Sequence, residues 1–79
     1  MEQIMKNTLI KLGTSVRKFR LSKGMSQEKL GSISGIDRTY ISSLERGKRN
    51  PSFLVLLRIV KALEVELSDL FNEFEENIL

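Results

Sequence analysis

The 79-residue sequence contains no cysteine and no histidine. The absence of cysteine excludes disulfides and thiolate chemistry, and the absence of histidine removes the commonest general base and metal ligand. An enzyme built on this chain would depend on carboxylates and lysines alone. We interpret the C-terminal carboxylates as a solvated face and not as a metal site or an acid/base pair: Glu64, Glu66, Asp69, Glu73, Glu75 and Glu76. We therefore expect no catalytic residue, no metal and no cofactor.

Long apolar runs are also missing from the sequence. No segment approaches the ~20 apolar residues of a membrane span, and the N-terminus lacks a compact apolar segment with a small-residue cleavage site. The single proline, Pro51, lies between helical patterns, and there is no repeat or linker. We expect one domain over residues 1–79, without membrane association and located in the cytoplasm. Dimerisation would help a domain this small, because its core is limited.

Charge is distributed unevenly along the chain. The net charge is +3, but residues 1–50 hold 11 Lys/Arg against 4 Asp/Glu, whereas residues 51–79 hold 2 against 6. A basic N-terminal part favours binding to a polyanion, while an acidic C-terminal part favours solubility or a protein contact and would repel phosphates. The alternative is a chance asymmetry of a small helical protein.

The hydrophobic periodicity predicts an all-α fold of five helices. The first extends from about Thr8 to Lys23, the fourth from the N-cap Ser52 to about Leu63, and the fifth begins at about Leu67. The expected core residues outside the middle helices are Leu12, Val16, Phe19, Met25, Phe53, Leu56, Leu57, Val60 and Leu63. The fifth helix would present an apolar stripe of Leu70, Phe71, Phe74 and Ile78.

Residues 26–46 have the pattern of a helix, a glycine turn and a second helix. Ser26 is a suitable N-cap for a helix that starts at Gln27 and buries Leu30 and Ile33. Gly31 would face the second helix, where the lack of a side chain lets the two backbones approach. Gly35 suits the left-handed residue that ends a helix, and Ile36 supplies the apolar contact that accompanies such a cap.

The second helix of this segment is expected to run from Arg38 to Arg46, capped by Asp37. Ile41 and Leu44 would point inward. The outward side chains would be Arg38, Thr39, Ser42 and Ser43, all of which are hydrogen-bonding or cationic. This arrangement is typical of a helix-turn-helix that binds double-stranded DNA.

Arg38 and Thr39 are the first candidates for base contacts, because helix-turn-helix proteins place the start of the second helix in the major groove. Arginine can donate two hydrogen bonds to guanine, and threonine can contact a base edge or a thymine methyl. Ser43 is a third candidate, with a plain surface serine as the alternative. Candidates for phosphate contacts, which neutral donors and helix N-termini commonly make, are Ser26, Gln27, Tyr40 and Ser42. Arg17, near the end of the first helix, is a further candidate. The alternative for Tyr40 is a ring half-buried under the turn.

The motifs resemble those of the XRE family, the lambda-repressor-like regulators. The resemblance rests on Gly31, Gly35, Ile36, Ile41 and the sequence Leu44-Glu45-Arg46-Gly47, and it extends over roughly residues 8 to 74. Within the family, residues 36–42 and 45–50 most resemble controller proteins of restriction–modification systems. This resemblance implies a regulator that binds upstream of its own gene and of a restriction endonuclease gene, activating at low dose and repressing at high dose.

The resemblance also implies roles for further residues. Arg20 and Glu45 would form a partly buried ion pair that fixes the first helix against the end of the recognition helix, the predicted helix from Arg38 to Arg46. The loop after that helix would add phosphate contacts from Arg46, Lys48, Arg49 and Asn50, with a charged solubilising loop as the alternative. RNA polymerase is a candidate partner for the acidic fifth helix, or for Glu28 and its neighbours on the second.

The fourth and fifth helices, residues 52–77, carry more apolar surface than a small core needs. One short recognition helix contacts few base pairs, so useful specificity requires two, about 34 to 36 Å apart along the duplex or a multiple of that distance. We therefore expect a homodimer on a palindromic operator, with an interface of Leu54, Val55, Ile59, Phe74 and Ile78. A phage-type repressor, an antitoxin and, more remotely, an enzyme are the alternatives.

Overall fold

The computed structural model describes residues 2–72 and consists, over this range, of helices without strands. The four α-helices are α1 (Glu2–Ser22), α2 (Gln27–Ser34), α3 (Arg38–Glu45) and α4 (Phe53–Leu63), and a short 3₁₀ helix follows at Leu67–Phe71. The predicted all-α class is confirmed for this part of the chain. The predicted fifth α-helix is not: its described part is 3₁₀, and Phe74 and Ile78 lie outside the described residues.

The caps that were predicted from sequence define the short helices. The Ser26 hydroxyl accepts a hydrogen bond from the Lys29 N–H at 2.9 Å, and the Asp37 carboxylate accepts one from the Thr39 N–H at 2.7 Å. Gly35 ends α2 with a φ of 72°. Ser52 caps α4 through the Val55 N–H. Because each cap satisfies otherwise unpaired backbone groups, the boundaries of α2 and α3 follow closely from the sequence.

Helix α1 begins earlier than predicted, at Glu2 instead of Thr8. Its contact with α3 depends on Gly13, where a Cβ atom would lie 2.6 Å from the Glu45 carbonyl oxygen and also overlap that of Leu44. Since only glycine permits this approach, Gly13 sets how closely α1 lies against the end of α3.

Gly31 has the same role between α2 and the start of α3. A Cβ atom there would lie 2.6 Å from the Ile36 carbonyl oxygen. The predicted close approach at this glycine is therefore confirmed, and it offsets the ~1 kcal/mol that glycine costs within a helix relative to alanine.

The core is formed by all four α-helices and the 3₁₀ helix. The fully buried large side chains are Val16, Leu30, Ile41, Leu44, Ile59, Leu63 and Leu70. Phe19 and Met25 are partly buried against this cluster. The inward orientation of Ile41 and Leu44 agrees with the sequence prediction.

The rotation of α4 differs from the prediction. Ile59, expected at a dimer interface, is 0% exposed, whereas Phe53 and Leu57, expected in the core, are exposed. The packed face is Val55, Leu56, Ile59, Val60 and Leu63, which is turned by about one residue from the predicted stripe. Both stripes are apolar at helical spacing, so periodicity alone could not choose between them.

Ile33 on α2 is also misplaced by the prediction, since its side chain is 49% exposed. The side of α2 that faces α3 and α4 is instead Leu30, Gly31 and Ser34. None of the described helices has the length and apolar character required to cross a membrane.

Candidate nucleic-acid interface

The start of α3 presents two exposed polar side chains, Arg38 and Thr39. Asp37 fixes this end of the helix, and the hydrogen bond from the Thr39 N–H holds the pKa of the Asp37 carboxyl below its usual value. The structure thus places both predicted base-contact residues outward, on the first turn of a capped helix.

Ser43 lies differently from the prediction. Its side chain is 8% exposed and points away from solvent. The hydroxyl donates to the carbonyl oxygens of Thr39 and Tyr40, both at 3.1 Å, and accepts from Nε of Arg49 at 2.9 Å. The predicted outward orientation of Ser43 is wrong, because the residue lies between the buried Leu44 side and the exposed side of α3 and the loop covers it. These hydrogen bonds engage the hydroxyl within the protein.

The loop that follows α3, residues 46–50, folds back against two helices. Gly47 has a φ of 74°, and a Cβ atom there would lie 2.8 Å from Cγ1 of Ile10. The Lys48 N–H donates to the Ser43 carbonyl oxygen at 2.9 Å. Lys48, Arg49 and Asn50 are exposed, so the loop presents its side chains to solvent from an anchored backbone.

Tyr40 is half-buried beside this loop, and the guanidinium carbon of Arg49 lies 4.9 Å from the centroid of its ring. The geometry combines the two interpretations of Tyr40 made from the sequence: the ring packs at the edge of the core, while the residue sits next to a cation of the candidate interface. This contact was not predicted, because the spacing of nine residues between Tyr40 and Arg49 is not a helical spacing.

A shallow notch of about 220 Å³ lies where α1, α2 and α3 meet. It is lined by Arg17, Arg20, Gln27, Ser42, Glu45 and Arg46. Four of these residues, Arg17, Gln27, Ser42 and Arg46, were predicted as phosphate contacts. The structure therefore brings side chains from three helices to one place, next to the N-terminus of α2, whose backbone amides favour an anion.

The predicted ion pair forms the floor of this notch. Arg20 donates from Nε and Nη2 to the two carboxylate oxygens of Glu45 at 2.6 and 2.9 Å, and from Nη1 to the Met25 carbonyl oxygen at 2.7 Å. Hydrogen bonding to Glu45 raises the pKa of Arg20 above its usual value. Since Arg20 is 7% exposed, this bidentate pair fixes α1 to the end of α3, and loss of either partner would strand a buried charge.

Gln27, predicted as a phosphate contact, also has a partner within the protein that the sequence did not predict. Its side-chain amide donates to Oε1 of Glu45 at 3.1 Å. An amide nitrogen carries two N–H donors, so one remains for a ligand in the notch, with its direction set by Glu45. Arg46 is oriented similarly, by donation from Nε to the Ser42 carbonyl oxygen at 3.3 Å.

The exposed start of α3, loop 46–50 and the notch present polar and cationic side chains of the kind that helix-turn-helix proteins use to bind DNA. The helix-turn-helix family model matches residues 16–70. The chain belongs to the helix-turn-helix family. The predicted XRE-type resemblance is confirmed.

Relatives within this family include named controller proteins, as predicted. Control protein C.MunI from Mycoplasma sp. is 40% identical over 73 residues, which cover 91% of this chain and 99% of the relative. Control protein C.BamHI from Bacillus amyloliquefaciens is 48% identical over 67 residues, 84% of this chain and 83% of the relative.

Solved structures give the same result. The restriction–modification controller protein C.AhdI from Aeromonas hydrophila superimposes with a TM-score of 0.78 at 44% identity, covering 80% of this chain and 96% of that one. The controller protein C.Esp1396I, solved as a tetramer with its natural 35 base-pair operator, gives 0.78 at 42% identity, covering 90% and 93%.

Proposed function

We propose that this protein is a transcriptional regulator of the restriction–modification controller type that binds a palindromic DNA operator as a homodimer. The observation that carries the proposal is the exposed pair Arg38 and Thr39 on the capped first turn of α3, flanked by the notch and by loop 46–50. The similarity to C.Esp1396I, whose structure contains operator DNA, supports the same use of this surface.

The residues have two kinds of role in this proposal. Arg38 and Thr39 contact base edges in the major groove. The residues that position the protein on phosphates are Ser26, Gln27, Tyr40, Ser42, Arg46, Lys48, Arg49, Asn50 and Arg17. The three cations of loop 46–50, Arg46, Lys48 and Arg49, would neutralise about six phosphates in a dimer, so log K should fall with log salt at a slope of about −5, and a phosphate contact by Arg17 would steepen the slope to about −7. A slope flatter than about −2 would contradict these assignments.

Dimerisation is proposed through the outer face of α4. Leu54 is 70% exposed, and Phe53 and Leu57 are also exposed. A shallow groove of about 400 Å³ on this helix is lined by Leu54, Val55, Leu57, Arg58 and Lys61. Exposed apolar patches of this kind mark interaction surfaces. The proposal keeps Leu54 and Val55 from the sequence prediction and replaces Ile59 by Phe53 and Leu57.

Regulation of its own gene and of an endonuclease gene follows from the controller resemblance, as does a contact with RNA polymerase. Glu28 is exposed on α2 and remains the candidate for that contact within the described residues. The proposal assigns no enzymatic activity to the chain. A methyltransferase gene and an endonuclease gene beside this one would support the controller role, and a small toxin gene would favour an antitoxin.

The test begins with selection of bound sequences from random DNA, followed by footprinting of the selected site. Binding of Arg38→Ala, Arg38→Lys and Arg49→Ala is then measured on the selected and on random duplexes at two salt concentrations. Arg38→Ala should lose about 1 to 3 kcal/mol per half-site on the selected DNA and little on random DNA. Arg49→Ala should weaken both about equally and reduce the salt slope.

Arg38→Lys is the matched control, because it keeps the charge and removes the two-pronged hydrogen bonding. It should preserve binding to random DNA while losing discrimination. If Arg38→Ala weakens both duplexes by the same factor, Arg38 is a phosphate contact, and sequence must be recognised through Thr39 or through the shape of the DNA.

A further inference from the structure

Arg49 is not a free surface cation, although its side chain is exposed. Two contacts tie it to α3: its guanidinium carbon lies over the Tyr40 ring, 4.9 Å from the centroid, and its Nε donates to the Ser43 hydroxyl at 2.9 Å. The backbone beside it is held as well, because the Lys48 N–H donates to the Ser43 carbonyl oxygen at 2.9 Å. Ser43 therefore holds both the loop backbone at Lys48 and the side chain of Arg49.

The Ser43 hydroxyl is itself held in place. Its single proton is shared between the Thr39 and Tyr40 carbonyl oxygens, both 3.1 Å away, which leaves its lone pairs to accept from Arg49. A hydrogen bond from a cation to such an oriented acceptor is stronger than one between neutral groups, and a cation over an aromatic face adds a further attraction. These contacts use Nε and one face of the guanidinium.

The two terminal nitrogens of Arg49 carry four more N–H donors and have no hydrogen-bond partner among residues 2–72. With Nε and the ring face engaged, the plane of the guanidinium and the direction of these donors are fixed before any ligand arrives.

From this geometry we infer that Ser43 is a positioning residue for DNA binding: its buried hydroxyl, with the Tyr40 ring, pre-orients Arg49 toward a phosphate. The inference rests on the proposed DNA binding and assigns to Ser43 a role without contact with DNA. Arginine side chains have many rotamers, and immobilising one on binding weakens affinity unless it is already ordered. The Ser43–Tyr40–Arg49 cluster removes that cost.

The main test compares Ser43→Ala, Arg49→Lys and the double variant on operator DNA. Ser43→Ala removes the acceptor and changes no charge. By the entropy of one long side chain it should weaken binding by about 2- to 10-fold per subunit, or about 4- to 100-fold for a dimer, on both operator and random DNA. The salt slope should stay unchanged, because the same phosphates are neutralised.

Arg49→Lys keeps the charge and removes the planar group that stacks and bonds. It should weaken binding by a similar factor alone, and by little in the Ser43→Ala background, since both changes break one cluster. Ser32→Ala, an exposed serine on α2 outside the interface, is the matched control and should bind as the wild type does. Additive losses, or binding by Ser43→Ala within twofold of the wild type, would overturn the positioning role.

A measurement on the free protein separates positioning from fold stability. The order parameter of the Arg49 Nε–H, from nuclear magnetic relaxation, should be near that of rigid backbone in the wild type and fall below about 0.6 in Ser43→Ala, while the thermal midpoint changes little. If the cluster served stability alone, Ser43→Ala would lower the thermal midpoint but would bind DNA as the wild type does at temperatures where both proteins are fully folded. That result would overturn the inference.

The two proposals fail in distinguishable ways. A mobile Nε–H in a wild-type protein that binds its operator would overturn the positioning role alone. A rigid Nε–H in a wild-type protein that binds no DNA would overturn the proposed function and, with it, the role of Ser43.

Discussion

Helices α3 and α4 differ in how far their own sequences specify which face is buried. In α3, polar and apolar residues alternate around the helix, and Ile41 and Leu44 are buried as the pattern predicts. In α4, nine of eleven residues are apolar, and the observed face differs from the predicted one. In a helix with one polar face, the sequence pattern specifies the buried face. In a helix that is apolar on all sides, the buried face is specified by the elements that pack against it.

The difference has a functional counterpart. The outer face of α3 is polar and ends in the candidate DNA interface. The outer face of α4 exposes Phe53, Leu54 and Leu57, which a monomer gains nothing by presenting to water. We therefore expect substitutions on α4 to divide sharply between those that unfold the domain and those that affect assembly.

The largest expected effect tests the rotation of α4. Ile59→Asp would bury a carboxylate without a partner at a site that is 0% exposed, and it should cost about 4 kcal/mol or more, enough to unfold a domain of this size. Leu57→Asp, two residues earlier on the outer face, should remain helical, sediment as a monomer and bind the operator weakly.

Circular dichroism and sedimentation of these two variants and of Leu54→Asp, a second change on the exposed face of α4, decide this prediction. A folded, monomeric Ile59→Asp protein would show that Ile59 lies at the interface, as the sequence pattern first indicated. An unchanged dimer for Leu57→Asp and for Leu54→Asp would move the interface away from α4.

The second prediction concerns the close packing of α2 against the start of α3. Gly31→Ala places a Cβ atom 2.6 Å from the Ile36 carbonyl oxygen, and overpacking of this kind costs about 1 to 3 kcal/mol, although alanine is the better helix former. Urea unfolding should show the loss. Ser32→Ala, on the exposed side of α2, is the control and should not destabilise, so equal stability of the two variants would mean that the α2–α3 backbone contact is looser than the structure shows.

Local chemistry explains which parts of the molecule the sequence predicted. Caps at Ser26, Gly35 and Asp37 depend on neighbouring backbone groups, so the bounds of α2 and α3 followed from the residues themselves. The pairing of Arg20 with Glu45 came from the family resemblance, since 25 residues separate the partners.

Other parts depend on contacts between distant residues, and these were missed. The inward turn of Ser43 arises because Arg49 folds back over it, and the exposure of Ile33 arises because α3 and α4 occupy the other side of α2. The start of α1 was also missed, since Glu2 to Asn7 carries no strong helix stripe. For the candidate site, the sequence identified the participating residues better than their orientation.

The ends of the two helices give a smaller expected effect. After each helix the chain contains a residue with a positive φ. After α3 this residue is Gly47, whereas after α4 it is Glu64, with a φ of 58°. A non-glycine residue is strained there, so Glu64→Gly should stabilise the domain by about 0.5 to 1 kcal/mol. Glu64→Ala removes the charge but keeps the strain, and should give no gain. Thermal unfolding measures both, and equal midpoints would mean that the backbone at residue 64 is unstrained.

The smallest effect distinguishes the starts of the two helices by pH. Asp37 caps α3 and Ser52 caps α4, and of these only Asp37 titrates. The hydrogen bond from the Thr39 N–H lowers the pKa of Asp37 in the folded state, so this cap stabilises the fold fully above the unfolded pKa of about 3.9. That contribution is lost as the pH falls through the lower folded value.

Asp37→Asn keeps an acceptor without a titrating charge, and its thermal midpoint should approach that of the wild type as the pH drops from 6 to about 2.5. Hydrogen exchange should show the same selectivity: Thr39 loses protection in acid while Val55, which the Ser52 hydroxyl caps, keeps it. Parallel midpoints for the two proteins over this pH range would mean that the Asp37 carboxylate does not preferentially stabilise the start of α3.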